Sequence, residues 1–312
     1  MLPRVYEQTV PDRTRRRINK LLTVAFFVVP GMAVFFIFLL WPMLQSTQYS
    51  LYKWNGFGPL QNYVGLDNYD RAYNHQVFRL AVKNSFVIMG LSLTIELPIA
   101  LMLALLVGRG NLPGRRLFRM LLFVPYVFSE VITAIIWRYV LHPTSGLANW
   151  AFSHTVPGFE NVGWLADRNI VLYSVFAVLT WKYFGFYMIL YMAGLQGVPK
   201  DLEDAARVDG ANVLQMLQKI TLPLMGSTIR LTVFLSVLGS FQQFVIVWIM
   251  TEGGPFNASQ TMATYVYKFG IKNFNLGYGS AVAIILLLIT LVFSIGYQRM
   301  ILHQDFASDV SL

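Results

Sequence analysis

Val198-Pro-Lys-Asp-Leu-Glu-Asp-Ala-Ala-Arg-Val-Asp-Gly-Ala-Asn-Val-Leu-Gln-Met-Leu-Gln-Lys-Ile-Thr-Leu-Pro223 is polar and helix-prone, and it separates two apolar runs, Val171 to Leu195 and Thr228 to Met250. Each run is long enough to cross a bilayer, which takes about 20 mostly apolar residues wound as a helix because lipid cannot satisfy a bare backbone amide. The stretch therefore reads as a surface segment between two crossings. Pro199 and Asp201 mark a helix start, and Glu203 and Asp204 put negative charge where the helix dipole favours it. Ala205 and Ala206 give a low-profile face. Gly210 permits the left-handed conformation that ends a short helix, and Asn212 is placed to cap a second one running to Pro223.

Outward from this segment the same reading repeats. Leu21 to Leu44, Phe86 to Val107, Met120 to Leu141 and Ser280 to Met300 are also long apolar runs, which makes six expected spans. The third and fourth are interrupted by Glu130, Arg138 and Lys182. Of the 312 residues 56% are hydrophobic and 12% charged, against roughly 25% charged in soluble domains, and the mean hydropathy is +0.54. An all-α integral membrane chain follows. Its domains are a basic N-terminus (1–20), a membrane domain (21–300) containing the polar segment at about 199–223, and a short tail (301–312).

The net charge of +9 does not point to nucleic acid, because the basic residues sit in short segments between apolar runs. Arg13, Arg15, Arg16, Arg17 and Lys20 precede the first span, and Arg109, Arg115, Arg116 and Arg119 follow the second. Positive segments stay cytoplasmic, so both termini are expected inside. The first apolar run exceeds a signal-peptide core and is read as a retained helix. Absence of cysteine excludes thiolate chemistry, and four histidines scattered along the chain make no metal centre. Trp54, Tyr69, Tyr73, Trp150 and Trp164 fall in the external loops, where aromatic residues anchor at the interface or meet another protein.

The polar segment resembles the EAA loop of ABC importer permeases: E-A-A, three residues, Gly, nine residues, Ile, any residue, Leu-Pro. Here it is Asp204-Ala205-Ala206, Gly210, Ile220, Leu222 and Pro223 at those spacings, with Asp204 in place of the usual Glu. Val64-Gly-Leu-Asp-Asn-Tyr69, Ile136-Trp137-Arg138 through Gly146-Leu-Ala-Asn149, and Thr251-Glu-Gly-Gly-Pro255 resemble motifs of the maltose-type sugar branch of that family. Gly253, Gly254 and Pro255 read equally as a tight turn. The resemblance implies a type I importer permease, a multi-pass protein of a bacterial or archaeal cell membrane that does no catalysis of its own. Its implied partners are a second homologous permease, two ATPase subunits that hold ATP and magnesium, an extracytoplasmic sugar-binding protein and membrane lipid. The chain itself would bind no cofactor or metal, and it contains no G-x-x-x-x-G-K-[ST] phosphate loop.

For this family the loop residues Glu203, Asp204, Ala205, Ala206, Asp209, Gly210, Ile220 and Pro223 imply coupling to the ATPase, and Gly253, Gly254 and Pro255 contact with the binding protein. Ser236, Ser240 and Gln243 recur at i, i+4 and i+7 on one helical face. Tyr183 and Phe186 share a side of the preceding span, beside Lys182. Hydroxyl, amide and aromatic groups suit sugar hydroxyls and ring faces, and these six form the expected substrate path. Ser236, Ser240 and Gln243 also suit gluing helices together. Glu96, Glu130, Arg138 and Arg230 are further charged groups within the spans, where a bare charge costs ~2.5–3.5 kcal/mol. A proton-coupled secondary transporter would use Glu96, Glu130 and Lys182 as its relay, and a permease for glycerol phosphate would need more arginine. A membrane transferase lacks its metal-carboxylate motif.

Overall fold

Length and hydropathy predict the helices, and the computed structural model, which describes residues 12–108 and 113–309, forms them. Among the described residues five helices are long and apolar enough to span a bilayer by themselves: α1 Asn19–Tyr49, α2 Gln76–Gly108, α5 Val171–Gln196, the broken helix Gly226–Thr251, and the apolar part Leu276–Arg299 of the last helix. The expected third span is two helices, α3 Arg115–Val127 and α4 Glu130–Val140, bent by 98°. Between α5 and the next span lie α6 Lys200–Val208 and α7 Val213–Met216, and the next span itself divides into α8 Gly226–Gln242 and α9 Val245–Thr251. The last helix, α10, continues to Asp309, past the expected end at Met300. Arg109 lies outside the described residues.

Proline shapes three of these helices. Wide π turns at Phe36–Leu40, Ser92–Glu96 and Leu217–Thr221 are each followed two residues later by a proline, Pro42, Pro98 and Pro223. A proline inside a helix has no amide to donate and its ring crowds the carbonyl four residues back. A local widening relieves that crowding without ending the helix.

The bundle packs around α5. Ala100 and Ala104 of α2 are fully buried against Met188, Tyr191 and Leu195 of α5. Small side chains let the two backbones approach, which in lipid replaces the hydrophobic drive available in water. A second core joins α4, α5 and α9 through Ala134, Val175, Val178, Ile246 and Val247, and a third joins α2, α8 and α10 through Ala81, Val237, Phe241 and Val282. Hydroxyl groups stitch the helices, with Thr232 donating to Tyr191 at 2.9 Å and Tyr297 to the carbonyl of Arg230 at 2.7 Å. Gly270 and Gly279 cross so closely that a Cβ on Gly270 would stand 2.6 Å from the Cα of Gly279. By contrast, none of the apolar window of α1 is buried within the chain, and its last turns, Trp41–Tyr49, rest on α10.

Candidate functional site

The 98° bend is where the site begins. A helix broken at membrane depth leaves carbonyls at one end and amides at the other that only protein or trapped water can satisfy. At the end of α3 the buried Lys182 supplies the donors: its ammonium reaches the carbonyls of Pro125 at 3.2 Å and Tyr126 at 2.8 Å, and that of Phe128 as well. A cation against a helix C-terminus also complements its dipole. At the start of α4 the Ser129 hydroxyl accepts from the Ile132 amide at 3.2 Å, and Glu130 sits in the first turn, where a negative charge is favoured. Lys182, expected along the substrate path, is thus turned away from it to hold the bend. Phe186 is likewise taken up in packing, stacked on Tyr126 with ring centroids 4.9 Å apart.

Next to the bend is a cavity of about 220 Å³ lined by α2, α4, α5 and the α8–α9 junction. Tyr183, Ser236, Ser240 and Gln243 all line it, so the structure brings four of the six expected path residues together. The i, i+4, i+7 reading holds only for the serines as a helical repeat. Helix α8 stops at Gln242, and Gln243 stands in extended backbone at the break before α9. Its carbonyl, freed by the break, accepts from the Thr261 hydroxyl at 2.7 Å. Tyr183 donates to Glu130 at 2.6 Å. Sequence reasoning left Tyr187 out of the path, although it faces the cavity one turn beyond Tyr183. Ser92 and Glu96 also line the cavity, presented by the π turn before Pro98.

The polar segment folds as a helix, a bend and a helix. Asp209 closes α6, Gly210 has φ +82°, and Asn212 caps α7 in a reciprocal box with Gln215, the two bonds measuring 2.8 and 2.9 Å. Of the residues expected to face an ATPase, Asp204, Ala205, Asp209, Gly210 and Pro223 are exposed and Ala206 and Ile220 half-buried. Glu203 is the exception. It is buried and accepts from the Thr221 hydroxyl at 3.0 Å, tying α6 to the returning chain, while Asp204 points out and pairs with Arg207 at 2.8 Å. What protrudes was not foreseen: Val208, 89% exposed, with Val213 and Leu214 beside it. An apolar tip on a polar loop is the kind of surface at which proteins dock. The bend lies at the same end as the basic segment, since Arg115, Arg119, Lys200 and Arg207 line one groove there.

At the opposite end, Gly253 is buried beneath the Gln260 amide, so it offers no outer surface. Gly254 and the cis-linked Pro255 are half-buried, and Phe256, 86% exposed, is the projecting group of this turn. Ser259 closes the turn by donating to Gly254 at 2.6 Å, and the Asn84 side chain in α2 holds the carbonyls of Ala258 and Gln260 at 2.8 and 2.9 Å. The other external motifs are structural as well. Asn68 donates to the carbonyls of Ser50 and Tyr52, and Asn149 bonds Pro143, Val162 and the Trp164 indole.

Compared with known proteins, residues 96–302 match the family described as binding-protein-dependent transport system inner membrane component. A probable ABC transporter permease of Pyrococcus horikoshii is 30% identical over 90% of this chain and 96% of its own length. The diacetylchitobiose uptake permease of Streptomyces coelicolor is 29% identical (90% and 84% covered), and the lactose transport permease of Rhizobium radiobacter 30% identical (86% and 90%). In structure the chain resembles a subunit of a bacterial ABC transporter that imports the acidic polysaccharide alginate, with a TM-score of 0.81 and 24% identity over 93% of this chain and 98% of that one.

Proposed function

This chain belongs to the family of binding-protein-dependent transport system inner membrane components, and from that premise we propose that it forms half of a saccharide path and couples that path to a separate ATPase. As an importer permease it does no covalent chemistry itself. The observation that carries the substrate reading is the cavity at the bend. Its lining of serines, tyrosines, glutamines and carboxyl groups offers many hydrogen-bond donors and acceptors inside an apolar bundle, which is what a polyhydroxylated solute needs on leaving water. The lactose and diacetylchitobiose permeases among its relatives support the same reading. A phosphate-bearing solute suits the cavity poorly, because two carboxyl groups and no lysine, arginine or histidine are among the described residues lining it.

Coupling runs through the Val208–Leu214 tip and the exposed face of α6, which enter a cleft of the ATPase subunit. Closure of two ATPases around ATP and magnesium then moves the bend, and ATP shifts the transporter only by binding the outward-facing state more tightly than the inward-facing one. A second permease supplies the other half of the path, and an extracytoplasmic binding protein delivers the sugar. The test is uptake of a labelled disaccharide into proteoliposomes that hold the chain with its co-purified partners. Uptake that needs ATP and a loaded binding protein supports the reading. Uptake driven by a proton gradient without ATP would overturn it.

A further inference from the structure

Two carboxyl groups line the cavity, and the chain serves only one of them. Glu130 receives the Tyr183 hydroxyl at 2.6 Å, and the ammonium of Lys182, fixed on the α3 carbonyls, is near enough to act on it. Glu96 is only 4% exposed, and among the described residues its Oε1 has no hydrogen-bond partner. The polar groups beside it are hydroxyls, that of Ser92 on its own turn of α2 and that of Tyr187 from α5. Also in the cavity wall are the Ser236 hydroxyl of α8, itself buried without a partner, and Glu130 of α4. No lysine, arginine or histidine is among the described residues lining the cavity: Lys182 is turned to the bend, and Arg230 lies earlier on α8.

A carboxylate in such a place has neither a cation nor enough donors to replace the water it gave up, and taking up a proton removes that cost. The product is a neutral acid with an O–H donor and a carbonyl acceptor on one small planar group. The backbone presents it to the cavity, since both ends of the wide turn Ser92–Glu96 before Pro98 lie in the wall.

We propose that Glu96 is a neutral carboxylic acid that holds the saccharide by a paired contact, Oε1 donating its proton to one sugar oxygen while the other oxygen accepts from the adjacent sugar hydroxyl. The proposal rests on the saccharide reading above and adds which group grips the sugar and in what form. Two neighbouring ring hydroxyls present a donor and an acceptor side by side, and the acid offers the complementary pair in the same arrangement. A serine or tyrosine hydroxyl fixes one point of the ring, whereas the acid fixes two and so sets its orientation. The proton stays on Glu96 throughout, so none is carried across with the sugar.

The experiment uses the assembled transporter in nanodiscs without its binding protein, so that what is measured belongs to the membrane path. Infrared difference spectra of wild type against Glu96→Gln should show the carbonyl stretch of a protonated carboxylic acid, absent from that variant and kept in Glu130→Gln. Adding lactose or cellobiose should shift the band to lower frequency. Binding of the same two disaccharides is titrated in the state held with ATP and vanadate. Glu96→Leu has neither donor nor acceptor and should weaken it about tenfold, whereas Glu96→Gln, neutral with one of each in nearly the same shape, should weaken it no more than about threefold. A wild type without the acid band, a band that a bound sugar leaves unmoved, a Gln variant as weak as the Leu variant, or a Leu variant that binds like wild type overturns the assignment. The wild-type band and its response to sugar decide even where a variant fails to assemble. Binding of neither disaccharide sinks the saccharide reading and this contact with it, whereas binding without the acid band sinks the neutral acid alone.

Discussion

At the scale of single residues, the broken third span is held by a group outside it. Lys182 reads in the sequence as a charge in a membrane helix, hence as a path residue, because the bend whose carbonyls it holds is formed some fifty positions earlier and leaves no mark on its own helix. Removing it leaves three carbonyls without this donor, that of Pro125 buried and those of Tyr126 and Phe128 partly so, and each costs about 1–3 kcal/mol where no water replaces the bond. Lys182→Met is therefore expected to lower the melting temperature of the detergent-solubilised protein by several degrees, together with uptake. A melting temperature equal to wild type with uptake lost would put Lys182 back on the path. His75, just ahead of α2, poses a titration question. Its Nδ1 lies 2.7 Å from the Tyr265 hydroxyl, and burial first, then the nearby Arg71, push its pKa below the ordinary 6.5. A base depressed in the folded state stays neutral while the unfolded chain takes up its proton. The stability it contributes is complete above about pH 6.5 and is lost as pH falls below that value toward the folded pKa. Thermal melts from pH 7.5 to 5 should show a decline that His75→Asn reduces; parallel curves for the two proteins would show that the imidazole titrates alike in the folded and unfolded chain.

Among the elements, what the sequence makes legible is whatever has a local cause. Spans follow from apolar length, and the helix, bend and helix at 200–216 follow from Pro199, Gly210 and the Asn212–Gln215 box, which act within a few residues of themselves. The 98° break does so only in part: Ser129 and Glu130 start α4 locally, but the carbonyl end of α3 is held by Lys182 from α5. The burial of Glu203 was equally hidden, since its partner Thr221 lies beyond the bend. Gly210 gives the element-scale test. Its φ of +82° is the left-handed region, and a Cβ there would meet nothing within 4 Å, so any penalty comes from backbone conformation alone. Asparagine tolerates that conformation and β-branched residues do not. Gly210→Asn should keep most of the uptake, and Gly210→Val should lose it while membrane insertion remains intact. Equal uptake by the two variants would mean that the bend is not what the ATPase recognises.

For the whole molecule the question is how a cavity within the bundle and an apolar tip at one end act as a unit. They are joined by the two helices that flank the polar segment: α5 carries Tyr183 and Tyr187 and continues into α6, and α8 carries Ser236 and Ser240 and begins just past Pro223. Both are pinned to each other through Thr232 and Tyr191, so movement of the bend passes to the cavity wall through packed helices. That arrangement predicts separable defects. Val208→Glu places a charge on an apolar tip that is 89% exposed in the chain alone, so it should leave saccharide binding within twofold of wild type and abolish ATP-driven uptake, with loss of ATPase from the purified complex. Gln243→Leu removes both hydrogen-bonding groups of a cavity side chain, so it should weaken saccharide binding about tenfold while the ATPase stays bound and hydrolyses ATP. Binding titrations and hydrolysis assays on the same two preparations decide the matter. If Val208→Glu weakens saccharide binding as much as Gln243→Leu does, the two ends are not independent sites linked by the helices, and the tip is part of the fold that shapes the cavity.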